Sequence, residues 1–215
     1  MSNTLIKYKN NKDILIFGSG VSNSKEQNEN EYQREISLLL KHIKKYSNYK
    51  LIYFSTCSLY DKSLTNTRYI KHKLEIENII KKKCKKYIIF RLPTIIGKTD
   101  NRNTFFNYFK DKIKNNEEIE IYKNSCRYLL DIDDLTNILP HIIDNNKYNN
   151  GIINISFTNK MNILDIVNLY SKIINIKPRV KIINKGKCFN IDNNEFINIL
   201  NKINYQIDNN YNYNY

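Results

Sequence analysis

The chain has 215 residues, 41% of them hydrophobic, with 35 Lys and Arg against 21 Asp and Glu and a formal net charge of +14. That length carries one sizeable domain, or a domain with a small appendage, and the apolar fraction supports a packed core. The cations are scattered Lys with no nucleic-acid motif or aromatic-basic stripe, so a nucleic-acid-binding module ranks last among the functions considered; no signal peptide and no bilayer-length apolar run is visible, so a cytoplasmic protein with reduced thiols and no membrane partner is expected.

Residues 1–12 are polar and read as a flexible end. Ile14–Phe17 is a short apolar run that ends in Gly18-Ser19-Gly20, the pattern of a buried strand feeding a loop. From about Glu26 to Tyr46 the residues Tyr32, Ile36, Leu39, Leu40 and Ile43 recur on one helical face. Lys50–Phe54 reads as a second strand, Tyr69–Lys83 as an amphipathic helix, and Tyr87–Leu92 as a third strand stopped by Pro93. Strands separated by helices of this length imply parallel pairing through right-handed crossovers.

The second half is less regular. Helices are predicted over Thr104–Asn115, from Asp131–Asp133 to about Asp144, from Asn162 to about Ile174, and over Asn193–Leu200. Short strands are predicted at Glu118–Tyr122, Arg127–Leu130, Ile152–Ser156 and Val180–Ile183. Gln206–Tyr215 alternates Asn and Tyr without a core pattern and reads as a tail. The run Lys81, Lys82, Lys83, Lys85, Lys86 closes a helical pattern, so it reads as a solvated helix end rather than a polyanion site. Cys57, Cys84, Cys126 and Cys188 show no CxxC spacing and no nearby His cluster, so no metal site is expected.

Four segments carry chemistry. Tyr69 and Lys73 lie four apart on a predicted helix, hence one turn apart on one face. An adjacent ammonium stabilises a phenolate, so such a pair can move a proton to or from a hydroxyl. Upstream, the apolar strand Leu51–Phe54 runs into Ser55-Thr56-Cys57-Ser58-Leu59-Tyr60, a hydroxyl cluster at a strand's carboxyl end, where doubly wound sheets bind ligands. Downstream stand Arg91-Leu92-Pro93-Thr94-Ile95-Ile96-Gly97 and Arg127-Tyr128-Leu129-Leu130-Asp131-Ile132-Asp133-Asp134. His72, beside the pair, reads as a solvent-facing helix residue, and Cys57 as a small buried apolar group.

In this order the four segments resemble the extended short-chain dehydrogenase/reductase superfamily, of the NAD(P)-dependent nucleotide-sugar epimerase/dehydratase kind, over roughly residues 13–175. The resemblance implies an α/β fold: a Rossmann-like doubly wound parallel sheet lacking the first strands (13–100), then a small mixed α/β substrate-binding portion that returns to the core (101–203), with 1–12 and 204–215 as flexible ends. It implies Thr56, Tyr69 and Lys73 as catalytic residues. Thr56 holds the reacting oxygen, Tyr69 is the acid/base, and Lys73 lowers its pKa and grips the nicotinamide ribose. Gly18, Ser19, Gly20, Ser55, Lys73 and Pro93 are implied to line the NAD or NADP site, and Ser58 and Arg127 the nucleotide-sugar site.

One part of the family pattern is missing. Nothing in residues 1–12 makes the Gly-rich turn that cradles a dinucleotide pyrophosphate, and Asn23 stands where a third glycine would follow Gly18 and Gly20. Ile14–Phe17 therefore matches the family's fourth strand better than its first. As a sheet edge it calls for cover from the N-terminus, a partner chain or a second copy. The functional expectation is an oxidoreductase-type epimerase, dehydratase or reductase on a nucleotide-activated sugar. The alternative is a catalytically silent relative that serves as a binding or scaffold protein.

Overall fold

The structure, a computed structural model, describes residues 3–97 and 105–206. In chain order its elements are α1 (Asn3–Ile6), β1 (Ile14–Phe17), α2 (Glu29–Lys45), β2 (Lys50–Thr56), α3 (Arg68–Lys83), β3 (Lys86–Leu92) and β4 (Thr94–Ile96). Then follow α4 (Phe105–Lys114), β5 (Glu118–Tyr122), β6 (Cys126–Asp131), α5 (Ile132–Ile143), β7 (Gly151–Asn154), β8 (Lys160–Asn162), α6 (Ile163–Ile174), β9 (Arg179–Ile183) and α7 (Asn194–Lys202).

The main sheet has the order β1-β2-β3-β7, all parallel. Its two faces are both covered, as the near-continuous apolar strands require. Leu51, Tyr53 and Ile89 pack with Leu39 of α2 and Ile76 and Ile80 of α3. Ile52, Ile88 and Phe90 point the other way and meet Leu135, Ile138, Leu139 and Ile142 of α5. The α/β expectation therefore holds, and the second half of the chain returns to the core through α5 and β7.

Local chemistry sets the helix ends. The Asn28 side chain accepts from the Asn30 amide at the start of α2, Glu29 and Glu31 sit in its positive first turn, and His42, Lys44 and Lys45 sit in its last. The Thr67 side chain caps α3, whose last turn carries Lys81, Lys82 and Lys83. Asp131 caps α5 through the Asp133 amide at 2.7 Å.

Sheet order also bears on which family strand β1 is. In the dinucleotide-binding order 3-2-1-4-5-6 the first strand is central, and strands four to six run outward beside it. Here β1 is terminal and adjoins β2, which adjoins β3. The runs one-two-three and four-five-six of that sheet both have this order, and among the described residues no strand pairs with the outer edge of β1.

Two expectations are corrected. The segment before β1 is not loose where it is described: Leu5 and Tyr8 are buried in the α5 cluster, and Lys7 and the Tyr8 hydroxyl each lie 2.8 Å from Asp144. The signal is weak because Leu5, Ile6 and Tyr8 in a short polar stretch show no period. The thiols are not all reduced either. Cys126 and Cys188 are disulfide-bonded, with Cα atoms 5.2 Å apart, leaving Cys57 and Cys84 free. A sequence separation of 62 hides that pairing from any local motif. The expected helix start at Thr104 and the tail beyond Gln206 lie outside the described residues.

Candidate active site

β1, β2 and β3 are parallel, so their carboxyl ends share one edge of the sheet. Thr56 closes β2. Its hydroxyl accepts the Ser58 amide at 3.0 Å and so caps a single 3-10 turn over Cys57–Tyr60. The same hydroxyl stands near the phenol of Tyr69, in the first turn of α3, and acts to lower its pKa. Tyr69 is buried, and its phenol is pushed up to about 12. Burial is the main cause, the Thr56 hydroxyl opposes it, and Glu35 and Tyr32 add to it.

Lys73 is one turn further along α3 and 4% exposed. Its ammonium does not turn to Tyr69. It donates to the Tyr53 hydroxyl at 2.9 Å and stands 3.7 Å from a carboxylate oxygen of Glu35, while the Tyr69 ring centre is 5.8 Å away. Burial lowers its pKa and Glu35 works to raise it.

Glu35, from α2, is fully buried and is the hub of this cluster. It accepts the Val21 amide at 2.6 Å, the Tyr53 hydroxyl at 2.8 Å and His72 Nε2 at 2.8 Å. Burial pushes its carboxyl up, but His72, Lys73, Val21 and Tyr53 together outweigh that and hold it at about 2. His72 is therefore not the solvent-facing residue expected. It is fully buried, tied to Glu35, with the Tyr32 ring 4.7 Å from its own. The correction has a simple cause: α2 covers the face of α3 on which both His72 and Lys73 project.

A second buried pair lies deeper along α3. Glu77 accepts Arg91 in a two-pronged contact at 2.9 and 2.6 Å, and the Ser55 hydroxyl at 2.7 Å. Ser55, expected on the cofactor side, is thus turned into this pair. Cys57 is buried as expected. Its thiol donates to the Arg91 carbonyl at 3.1 Å, and burial pushes it up to about 12.

Beyond Thr56 opens a small cleft of about 50 Å³, lined by Ser58, Asp61, Pro93, Thr94, Arg127, Tyr128, Phe189 and Ile191, among others. Ser58 and Arg127, expected on the nucleotide-sugar side, and Pro93, expected beside the cofactor, are brought together here. The Arg127 guanidinium donates to the Cys126 carbonyl at 2.8 Å and lies 6.0 Å from the Phe105 ring centre. Among the described residues no carboxylate is within ion-pair distance of it. Burial lowers its pKa, and the Asp61 charge works to raise it. A partly desolvated guanidinium facing a cleft is a receptor for an anion, and its planar fork suits a phosphate.

The loop after β1 approaches the cluster through Gly20. A Cβ there would stand 2.7 Å from Glu35 Oε1 and 3.1 Å from Lys73 Nζ, so glycine is needed for close packing over the pair. Gly18 has nothing within 4 Å of such a Cβ, and Ser19 is exposed.

These residues fit a nicotinamide cofactor at one end only. Thr56, Tyr69, Lys73 and the Gly20 backbone gather at the strand ends where its reactive ring and ribose would sit. The next helix, α2, offers no diphosphate cradle, because its N-terminus is already filled by the Asn28 side chain and the carboxylates of Glu29 and Glu31. No group of three or more potential metal ligands occurs among the described residues, and none of their helices is long and apolar enough to cross a membrane.

Glu35, Tyr53 and Tyr32 escaped the sequence reading. Glu35 carried the one available signal, a carboxylate on the apolar face of an amphipathic helix, three residues from Tyr32 and four from Leu39.

A doubly wound parallel sheet with hydroxyls and a Tyr/Lys helix at its carboxyl edge defines a Rossmann-like α/β protein of the nucleotide-binding type. The NAD dependent epimerase/dehydratase family model matches residues 13–156, and the chain belongs to that family. Among curated proteins, none matches the sequence. Solved structures with the same fold include a dTDP-glucose 4,6-dehydratase from Bacillus anthracis in complex with NAD, at 14% identity and a TM-score of 0.69, covering 96% of this chain and 72% of that one. A UDP-glucose 4-epimerase from Thermotoga maritima with UDP-glucose is 15% identical, with a TM-score of 0.68 and coverage of 89% and 72%. A UDP-N-acetylglucosamine 4-epimerase from Methanobrevibacter ruminantium is 16% identical, with a TM-score of 0.68 and coverage of 87% and 70%.

Proposed function

We propose that the protein is an NAD(P)-dependent epimerase, dehydratase or reductase acting on a nucleotide-activated sugar, with Thr56, Tyr69 and Lys73 as its proton-transfer site. The observation that carries this reading is the meeting of Thr56 and Tyr69 at the end of β2, beside a cleft whose Arg127 guanidinium has no carboxylate within ion-pair distance among the described residues. Family membership and the nucleotide-sugar enzymes among its structural relatives support it.

When bound, the nicotinamide supplies hydride transfer at a sugar carbon. The chain's own residues do the rest. Thr56 holds the reacting hydroxyl oxygen by a hydrogen bond. Tyr69 takes or returns that hydroxyl's proton. Lys73 stabilises the phenolate that results, which requires its ammonium to draw closer to Tyr69 than its present place beside Tyr53. Arg127 grips the diphosphate of the sugar nucleotide from the cleft wall, with Ser58 at its mouth and Pro93 along its side.

The experiment is a titration of the purified chain with NAD and NADP, read by thermal shift and tyrosine fluorescence, followed by turnover assays on UDP-glucose and dTDP-glucose. Tyr69→Phe is expected to abolish turnover while the protein stays folded. Full activity in that variant overturns the assignment of Tyr69.

A further inference from the structure

Lys73 poses an electrostatic problem that the reaction does not explain. An ammonium 4% exposed loses its proton in low dielectric unless an opposite charge holds it. The charged and titratable groups around it are Glu35 and Tyr32 of α2, Tyr53 of β2, Tyr69, His72 and Glu77 of α3, and Arg91 of β3. Two of these are carboxylates. Glu77 is already matched by the two-pronged contact from Arg91 and by the Ser55 hydroxyl.

That leaves Glu35. It accepts the Val21 amide, the Tyr53 hydroxyl and His72 Nε2. The Lys73 ammonium stands 3.7 Å from it, and among the described residues no other carboxylate comes within ion-pair distance of that ammonium. The Gly20 backbone closes over both groups, leaving no room for even a methyl between them.

We propose that Glu35 is a positioning residue: its carboxylate is the buried counter-ion that keeps the Lys73 ammonium charged and, with the Tyr53 hydroxyl as a strut, holds it one helical turn from Tyr69. The proposal rests on the reading of Tyr69 and Lys73 as a proton-transfer pair, and it gives α2 a part in that site. The carboxylate holds the proton on the lysine without removing it, so no covalent step is involved. Glu35 touches neither substrate nor cofactor, and its effect reaches the reaction only through Lys73.

The test is made on the full chain without cofactor or sugar. Lysines are isotope-labelled at Cε, and the Lys73 signal is assigned by its loss in Lys73→Met. Glu35→Gln is expected to move the Lys73 titration down by on the order of two pH units, and Glu35→Asp to restore most of the shift. A folded Glu35→Gln protein with the Lys73 titration unmoved overturns the proposal. If Glu35→Gln does not fold, the double variant Glu35→Gln/Lys73→Met decides. Recovery of a cooperative unfolding transition supports the charge pairing, and a double variant no more stable than the single one overturns it. None of these readouts depends on turnover, so they leave the Tyr69→Phe result standing on its own.

Discussion

Tyr69 and Lys73 share one face of α3, yet the Lys73 ammonium is 2.9 Å from the Tyr53 hydroxyl and 5.8 Å from the Tyr69 ring centre. The helical spacing of the pair fixes which face they occupy and not where a flexible four-carbon stem delivers its charge. Burial of Glu35 beside Tyr53 decides that.

The same burial makes the fold acid-sensitive. Burial alone would raise the Glu35 carboxyl, but His72, Lys73, Val21 and Tyr53 bring it from 4.5 to about 2. An acid whose folded pKa is depressed binds its proton more readily in the unfolded chain, so its stabilisation is complete above pH ~4.5 and lost as pH falls toward 2. The contribution is about 3 kcal/mol at neutral pH. Urea unfolding of the wild type is expected to show stability falling over that window, and Glu35→Gln to flatten the fall. An acid limb equally steep in the variant assigns the loss to other carboxylates.

Gly18 and Gly20 look equivalent as letters and are not equivalent in space. Gly20→Ala puts a methyl 2.7 Å from Glu35 Oε1 and 3.1 Å from Lys73 Nζ, while Gly18→Ala meets nothing within 4 Å. Overpacking of this kind costs about 1–3 kcal/mol. Thermal unfolding should therefore separate the two variants, with Gly20→Ala losing several degrees and Gly18→Ala nearly none. Equal loss in both would place the cost in the loop backbone and not in the contact with Glu35.

Arg127 carries an unbalanced charge in a partly dry cleft. Arg127→Met removes that desolvation cost and keeps much of the side-chain volume, so the protein alone should be no less stable than the wild type. Affinity for a nucleoside diphosphate such as UDP should fall ~10–100-fold, since hydrogen bonds to charged groups contribute about 1.5–3 kcal/mol each. Calorimetry with UDP on both proteins measures it. Unchanged affinity moves the phosphate site elsewhere.

What the sequence made legible follows from period and punctuation. Ile14–Phe17 ends where its apolar run ends, Glu118–Tyr122 spans one alternating stretch, and α3, read from Tyr69, starts one residue earlier at Arg68. Thr56, Tyr69 and Lys73 were visible in the sequence as candidates because strand ends and helical spacing bring them to one edge. The partners that tune them were not. Glu35 lies 38 residues from Lys73 in sequence, and Tyr53 read as one more apolar strand residue. The short strands Thr94–Ile96 and Lys160–Asn162 were missed because three residues carry no period, and they exist only through pairing with β6.

The Cys126–Cys188 bond ties β6 to the segment that carries Phe189 and Ile191 into the Arg127 cleft. That segment has few other anchors: Tyr128 donates to the Phe189 carbonyl at 3.2 Å, Lys160 reaches Asn190 at 2.9 Å, and Asn154 reaches the Asp192 carbonyl at 2.6 Å. Closing a loop of 62 residues limits the unfolded chain, and such a cross-link contributes about 2–4 kcal/mol. Protein denatured without reductant should titrate only the thiols of Cys57 and Cys84, and all four cysteines after treatment with a dithiol. Cys188→Ser is then expected to lower the unfolding midpoint and to weaken the response to UDP, because the freed segment no longer holds Phe189 and Ile191 against the cleft. Four reactive thiols before reduction would show the pair open in solution, and a Cys188→Ser protein with unchanged stability would show that the remaining hydrogen bonds hold the segment by themselves.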